Sequence, residues 1–458
     1  MPSSYIELAF PSQPVSVAGR QSSGGRPATT RRASVALGAT SPVLGGQPTA
    51  PHPVWSRMSV THPATRFWAA ASVAMLALWA SGSPTMIYPL YAHDWNMSPA
   101  ATTTLFAVYP LVLVVVLLVF GDISDHIGRR ATMLAGVGAM FVGALLFAVA
   151  PAEGWLFVAR AFQGIGVGLA MAPASAAMVE FNTRGGTARA SSVNTAATAA
   201  GLALATIIAG ALVQYAPNPR QLSYWVVVVA AALAFVAVLS LPKHVPDTQT
   251  ATRWRPRPIH VPAALRGTVT AAALAVTTAF AVGAVLLSLG AQISADLIHS
   301  SNTLVSGLVL AITSVVIGIT ALAAKRMPAR VAIGIGGLAS ASAVALLVVS
   351  AATASLPVFA VTSVAAGVGY GLLFLGGLGL VNKHAPAHHR AGTISVVYTA
   401  AYLMQGIIAV LVGLEATAVG LQTALDVAAP VLIVLALGTS AVALRLRGGP
   451  GLVAAQEG

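Results

Sequence analysis

The sequence predicts an all-α multi-pass membrane protein, with twelve transmembrane helices in two pseudo-symmetric six-helix bundles. Three observations carry that prediction. Of 458 residues, 57% are hydrophobic and only 8% are charged, against about 25% charged in an ordinary soluble domain. The apolar residues fall into twelve runs long enough to cross a bilayer core, which takes roughly 20 residues per helix. The basic residues fall almost wholly on one side of those runs.

The runs cover 67–92, 100–120, 131–150, 155–181, 191–215 and 221–241, then 268–289, 303–324, 331–352, 357–382, 391–414 and 424–444. They are too long and too evenly apolar for barrel strands, which are shorter and alternate. Arg160, Glu180 and Asp426 are the only Asp, Glu, Lys or Arg inside them. With the N-terminus placed in the cytoplasm, the 24 Lys and Arg sort cleanly: Arg160 is embedded, Arg220 lies outside, and all the others are inside. The net charge of +13 is therefore read as membrane topology, and no nucleic-acid partner is expected. Both termini are expected in the cytoplasm, with the chain in the cell (inner) membrane. The chain has no Cys, so it has no thiolate metal site, and no metal or other cofactor is expected.

Residues 1–66 are rich in Ser, Pro, Gly and Arg, with Glu7 the only acid, and read as a disordered cytoplasmic tail. An Arg-rich, acid-poor leader also fits a transit peptide, and Met58 stands as an alternative start just before the first run. The bundles are expected over 67–241 and 268–446, joined by a cytoplasmic linker at 242–267 and followed by a tail at 447–458. Trp254 and the linker's Arg residues suit anionic headgroups as well as plain topology. The halves echo each other. GIGVGL (164–169) recurs as GVGYGL (367–372), and RASSVNTAATAAGL (189–202) aligns with RAGTISVVYTAAYL (390–403). Duplicated units around a midplane site are a common build for secondary transporters. The glycine pairs Gly164/Gly168 and Gly367/Gly371 allow close helix approach.

Every Asp, Glu, His, Lys and Arg between Leu111 and Ala150 lies in GDISDHIGRR (121–130), the turn between the second and third runs. Gly121 and Gly128 permit backbone positions other residues resist. Asp125 and Arg129 are four apart and pair if the turn is helical. The stretch resembles the cytoplasmic signature of the major facilitator superfamily, Gly-x-Leu-Ala-Asp-Arg-x-Gly-Arg-Arg/Lys, in Gly121, Asp125, Gly128, Arg129 and Arg130; His126 replaces the usual Arg. The resemblance runs from Phe67 to Arg447, and in the second half this signature shrinks to AAKRMPAR (323–330). It implies that the loop braces the bundles in the outward-open state. Asp125 would bond near the start of the eleventh span, around Arg390 to Ser395, and release as the cytoplasmic side opens.

RAFQGIGVGLA (160–170) resembles a second family pattern, Arg-x-x-Gln-Gly-x-Gly. An ionised Arg inside a membrane is costly and usually functional. Counting from Trp155, Arg160 lies roughly 8 Å below the outer surface at 1.5 Å per residue. It either snorkels to that surface, or bonds Gln163 and cavity carbonyls, binds an anionic group, or tunes a proton site. The Gly-Pro step of the drug–proton antiport branch is absent from GLALATIIAGALVQYAP (201–217). Ala205 and Thr206 stand there instead, which removes its kink.

The family's cavity is lined by the first, fourth, seventh and tenth spans. Tyr88 and Tyr91, with Trp79 earlier, mark the first, and Tyr370 marks the tenth. In the eleventh, Ser395, Tyr398, Tyr402 and Gln405 share one face. Each aromatic serves bundle packing or substrate contact; together they fit a moderately polar organic ligand that stacks and hydrogen-bonds. No carboxylate lies deep in spans one, seven or ten. Glu180 suits loop Arg residues, and Asp94 (beside His93), Glu415 and Asp426 fall near the outer surface. The expected function is proton-coupled export of small organic molecules by a monomer using alternating access. The rival is uptake or facilitated diffusion of an organic anion or neutral metabolite, with Arg160 as clamp. An enzyme is not expected: there is no Gly-x-Ser-x-Gly, His-Glu-x-x-His or phosphate loop, and GIGVG sits mid-helix rather than after a strand.

Overall fold

The computed structural model describes residues 63–121, 123–183, 186–242 and 265–445. Most of the expected N-terminal tail, most of the linker and the C-terminal tail lie outside the described residues. Helix follows helix throughout. In chain order they are α1 (Pro63–Gly82), α2 (Tyr88–Trp95), α3 (Pro99–Phe120), α4 (Ile123–Ile127), α5 (Arg129–Val149), α6 (Glu153–Glu180), α7 (Gly186–Tyr215) and α8 (Pro219–Leu239). The second half continues with α9 (Arg266–Gln292), α10 (Thr303–Ala323), α11 (Ala329–Ala352), α12 (Leu356–His384), α13 (Ala387–Val419) and α14 (Leu421–Arg445). A backbone that cannot bond to lipid must satisfy itself within each segment, and no strand forms among the described residues.

Eleven described helices are long and apolar enough to span a membrane, and the twelfth span is a broken pair. The first run does not continue straight. α1 and α2 meet through a 3₁₀ turn at Ser83–Met86, bent by 42°. Pro84 has no N–H to donate and its ring crowds the carbonyl one turn back, so the helix stops at Gly82. A Cβ at Gly82 would stand 2.7 Å from Leu202 Cδ1, which fixes the break against α7. By contrast α7 runs unbroken through Ala205 and Thr206. No proline is present there to kink it.

The helices alternate in direction, so the bundle has two ends. One carries the 121–130 turn, the start of α1 and the end of α14; we call it the turn face. The other, the far face, carries His93, Asp94 and Arg220. Three helices start at the far face with side-chain caps: Ser98 for α3, Asn302 for α10 and Ser355 for α12, each accepting from an otherwise orphan N–H.

The glycine pairs occupy matching places in the two halves. A Cβ on Gly164 would fall 2.7 Å from the Tyr109 carbonyl oxygen of α3, and one on Gly367 would fall 2.7 Å from the Thr313 carbonyl oxygen of α10. Gly168 meets Val116, and Gly371 meets Thr320, one turn further on. Thus α6 seats on α3 as α12 seats on α10. Between the halves, α3 packs along α13 and α7 along α10. Large apolar side chains such as Val229, Leu233, Val431 and Val434 are exposed on the bundle's outside, where lipid is their solvent.

The packing is asymmetric from end to end. Toward the far face one hydrophobic core joins both halves, from Met86, Tyr88 and Phe147 to Val285, Leu347 and Leu425. Toward the turn face each half keeps its own core, one around Phe67, Met133 and Met178, the other around Val276, Ile333 and Leu380. Tyr402 packs on both. The far face is sealed between halves by polar contacts as well. Gln214 Oε1 accepts from Thr303 N at 2.7 Å, and Ala100 N donates to Thr417 Oγ1 at 2.9 Å.

Candidate functional site: a buried arginine and an aromatic lattice

Arg160 lies in the middle of α3, α6 and the α1 break, 1% exposed. It does not snorkel outward. Its Nε donates to the Leu105 carbonyl at 3.3 Å, and Nη1 donates to the Ser81 carbonyl at 2.8 Å and to Gln163 Oε1 at 2.9 Å. The Ser81 carbonyl comes from the end of α1, just before the proline break. Its guanidinium also stands over the Phe106 ring at 5.7 Å and the Tyr109 ring at 5.2 Å. On insertion scales an Arg at mid-membrane costs roughly 2.5–3.5 kcal/mol. Three charge-assisted hydrogen bonds and two ring faces offset that cost. Gln163, three residues on, is fully buried on the same face.

Tyr88 is also fully buried, inside the N-terminal half beside Arg160, Tyr91 and Tyr224. With Tyr91 it stands apart from Tyr370, Tyr398 and Tyr402, the other tyrosines expected at a cavity. Those lie across the bundle axis. Phe280 of α9 stacks on Tyr370 at 5.6 Å and on Phe374 at 6.2 Å, and meets Tyr402 edge-on at 4.7 Å. Tyr398 and Tyr402 stack at 6.1 Å, and Phe374 reaches Tyr398 at 6.1 Å. Five rings from α9, α12 and α13 thus form one lattice. Tyr109 of α3 is the link to the other half, within electrostatic reach of Tyr370 and Tyr402 while its ring carries Arg160. Gln405 is buried one turn beyond Tyr402, and its Oε1 has no hydrogen-bond partner among the described residues.

Tyr109, Tyr224, Phe280 and Phe374 are members of these clusters that the sequence did not single out. The faint signal was Tyr109 itself, the only hydroxylated ring in the second apolar run.

At the turn face Gly128 adopts φ +89°, a left-handed conformation that favours glycine. That turn ends α4 and redirects the chain, so the expected Asp125–Arg129 pair does not form. Arg129 opens α5 and pairs with Glu180 at the end of α6, with Ala176 O at 3.4 Å as a second acceptor. Asp125 is exposed and makes no ion pair among the described residues; the Arg390 side chain lies outside them. Gly121 ends α3, its Cβ position crowded by helix backbone, and Arg130 is half-buried in the first turn of α5. At the far face Asp94 lies 3.0 Å from His93 Nδ1 and 3.2 Å from Arg220, which covers the Trp95 ring at 5.2 Å. Asp426 accepts from Gln422 at 3.1 Å.

A sequence model described as Major Facilitator Superfamily matches residues 70–409, spanning both halves and both clusters. The chain belongs to that superfamily. Two solved structures share its architecture. The nucleoside transporter NupG superposes with a TM-score of 0.65 at 12% identity, over 82% of this chain and 99% of that one. A bacterial homolog of the human lysosomal transporter Spinster, in an inward-facing and unoccupied conformation, gives 0.64 at 16% identity, over 86% and 100%. Among curated relatives, the multidrug efflux pump LfrA of Mycolicibacterium smegmatis is 33% identical over 165 residues, 34% of this chain and 32% of the relative. The puromycin resistance protein pur8 of Streptomyces alboniger is 31% identical over 153 residues, 33% and 29%. The matched stretch therefore spans about a third of the length of these relatives.

Proposed function

We propose that this transporter exports moderately polar aromatic molecules in exchange for protons, by rocking its two halves about a central site. The observation that carries the reading is the five-ring lattice of Phe280, Tyr370, Phe374, Tyr398 and Tyr402, with Tyr109 of the opposite half within electrostatic reach and Arg160 over the Tyr109 ring behind it. Offset and edge-on rings accept a planar guest at small cost, while phenol groups give it hydrogen bonds. A ligand there touches both halves, so its binding energy depends on how they are set.

Shared core at the far face and separate cores at the turn face correspond to a conformer that receives cargo from the turn face. The positive-inside rule makes that face cytoplasmic, so cargo bound for export would enter this conformer from the cytoplasm. Export and resistance are also in the names of two relatives. The described carboxylates stand at the two ends of the bundle, so protons enter and leave there. Asp94, held between His93 and Arg220 of α8, is the far-face acid in contact with two bases.

The test is flux of puromycin and of a planar aromatic dye into proteoliposomes under an imposed pH gradient. Accumulation should follow the gradient and collapse when a protonophore is added. Transport at equal rate with and without the gradient refutes the coupling; no transport of either probe refutes the substrate class.

A further inference from the structure

We propose that the crevice between the two halves at the far face is a second binding site, for a small neutral molecule with an apolar body and a hydrogen-bond-accepting head. The crevice measures about 230 Å³, below the roughly 300–1,000 Å³ of drug-sized pockets. From the N-terminal half, Met86, Leu90 and His93 of the α1–α2 connection and α2 line it. From the C-terminal half come Ala295, Ser300 and Ser306. Met86 and Ser306 are buried and form the floor, while His93 and Ala295 are exposed and mark the rim. None of these residues belongs to the aromatic lattice, so the crevice is separate from the site assigned to cargo.

The polar wall is a chain of hydroxyls. Ser294 Oγ donates to Ser306 Oγ at 2.8 Å, and Ser306 Oγ donates to Ser300 Oγ at 3.0 Å, with the Asn302 carbonyl at 3.3 Å as a longer alternative. Ser294 and Ser306 are buried and Ser300 is half-buried, so the chain runs outward, and each hydroxyl polarises the next. Ser300 ends it. Its own hydroxyl reaches the Asn302 carbonyl only at 3.5 Å, the far limit of a useful hydrogen bond. A guest's carbonyl oxygen at ordinary distance outcompetes that contact. The loop carrying Ser300 is also firmly held. α9 ends in a π turn, Ile293–Leu297, a rare form that concentrates at functional sites. Ser300 N donates to the Ser294 carbonyl at 2.9 Å, and His299 takes φ +57°, a left-handed conformation that costs a non-glycine residue.

Charge decides against an ionic guest. Among the described residues, His93 is the only titratable side chain on the wall. Its Nδ1 lies 3.0 Å from Asp94, and Asp94 is also paired with Arg220 of α8 at 3.2 Å. A carboxylate in the crevice finds that base engaged, and an ammonium finds that acid doubly engaged. Either gives up water without gaining a counter-charge of its own. The remaining walls, Leu90 and Val213 among them, are apolar and suit a hydrocarbon body. Because both halves supply walls, a guest stabilises this arrangement of the halves against one open at the far face.

The experiment times the reaction of one introduced thiol with maleimide on the purified full chain in detergent, since the chain has no Cys of its own. Ala295→Cys places that thiol on the exposed rim. The probes share a cyclohexyl body and differ in the head: cyclohexyl methyl ketone, cyclohexanecarboxylate and cyclohexylmethylamine. By mass action the ketone should slow labelling saturably, by about threefold or more, while the anion and the cation leave it unchanged. Ser300→Ala removes the donor and keeps the backbone bond of its loop, and should raise the half-protecting ketone concentration about fivefold. Asn194→Cys, nearer the turn face, should label at the same rate with and without ketone. No protection by any probe overturns the proposal and leaves the crevice to water or a detergent chain. Equal protection by all three overturns it too, because an apolar slot alone then explains binding. A half-protecting concentration unchanged in Ser300→Ala, or slowing at both thiols, does the same. None of these readouts requires transport, so failure here leaves the export assay untouched.

Discussion

Arg160 was visible in the sequence because it is the one cation inside twelve apolar runs, and lipid makes that position expensive. Its surroundings were not visible. Whether Tyr109 or Phe106 faces it depends on how α3 is rotated against α6, and that rotation is set by Gly164 and Gly168 seating on α3. The same holds for Phe280 and Phe374, which meet Tyr402 only because three helices converge. Arg160 is held by a planar fork aimed at two carbonyls and an amide, so a flexible ammonium is a poor substitute. Arg160→Lys should therefore lower transport at least tenfold, about 1.4 kcal/mol at the rate-limiting step. Arg160→Met should abolish transport and also lower the unfolding temperature, because it takes the donor from the Ser81 and Leu105 carbonyls and the Gln163 amide. Parallel measurement of flux and thermal unfolding checks both. A Met variant that transports normally would show that the cation is only structural.

At the scale of elements, the spans were legible to within a few residues because lipid dictates both their length and their composition. Two departures came from local backbone chemistry. Pro84 breaks the first span, and Gly128 turns Arg129 away from Asp125 toward Glu180. The duplicated glycines were readable as a pattern, but only packing shows that each faces a carbonyl. Gly164→Ala and Gly367→Ala should each destabilise the protein by roughly 1–3 kcal/mol, the usual cost of overpacking. Their effects should be similar, since both would place Cβ 2.7 Å from a backbone oxygen of the neighbouring helix. Gly438→Ala, with nothing within 4 Å of its Cβ position, should be neutral or stabilise slightly through helix propensity. Unfolding temperatures of the three variants test the repeat directly. A large loss at one glycine and none at the other would mean the halves do not pack alike.

Over the whole molecule, the far-face seal is made largely of small residues. Gly210 of α7 sits with its Cβ position 2.8 Å from the Thr303 carbonyl and 3.4 Å from Gly307 of α10, while Gly413 of α13 closes on Thr103 of α3. Both seams join one half to the other, so a bulky side chain in either cannot be absorbed within a half. Packed interfaces respond to such a wedge by switching state rather than by stretching. Gly210→Leu should thus shift the population toward a conformer open at the far face and closed at the turn face. Because the chain has no Cys, an introduced thiol reports on its own position alone. A thiol at Ser306→Cys, buried in the far-face crevice beside Met86 and His93, should react faster with a membrane-impermeant maleimide when Gly210→Leu is present. A thiol at Asn194→Cys, half-buried on α7 and nearer the turn face, should react more slowly with reagent supplied from that side. Reciprocal change at the two positions is what distinguishes rocking from local unfolding. Faster labelling at both would mean that the wedge loosens the bundle, and then the halves do not move as rigid units.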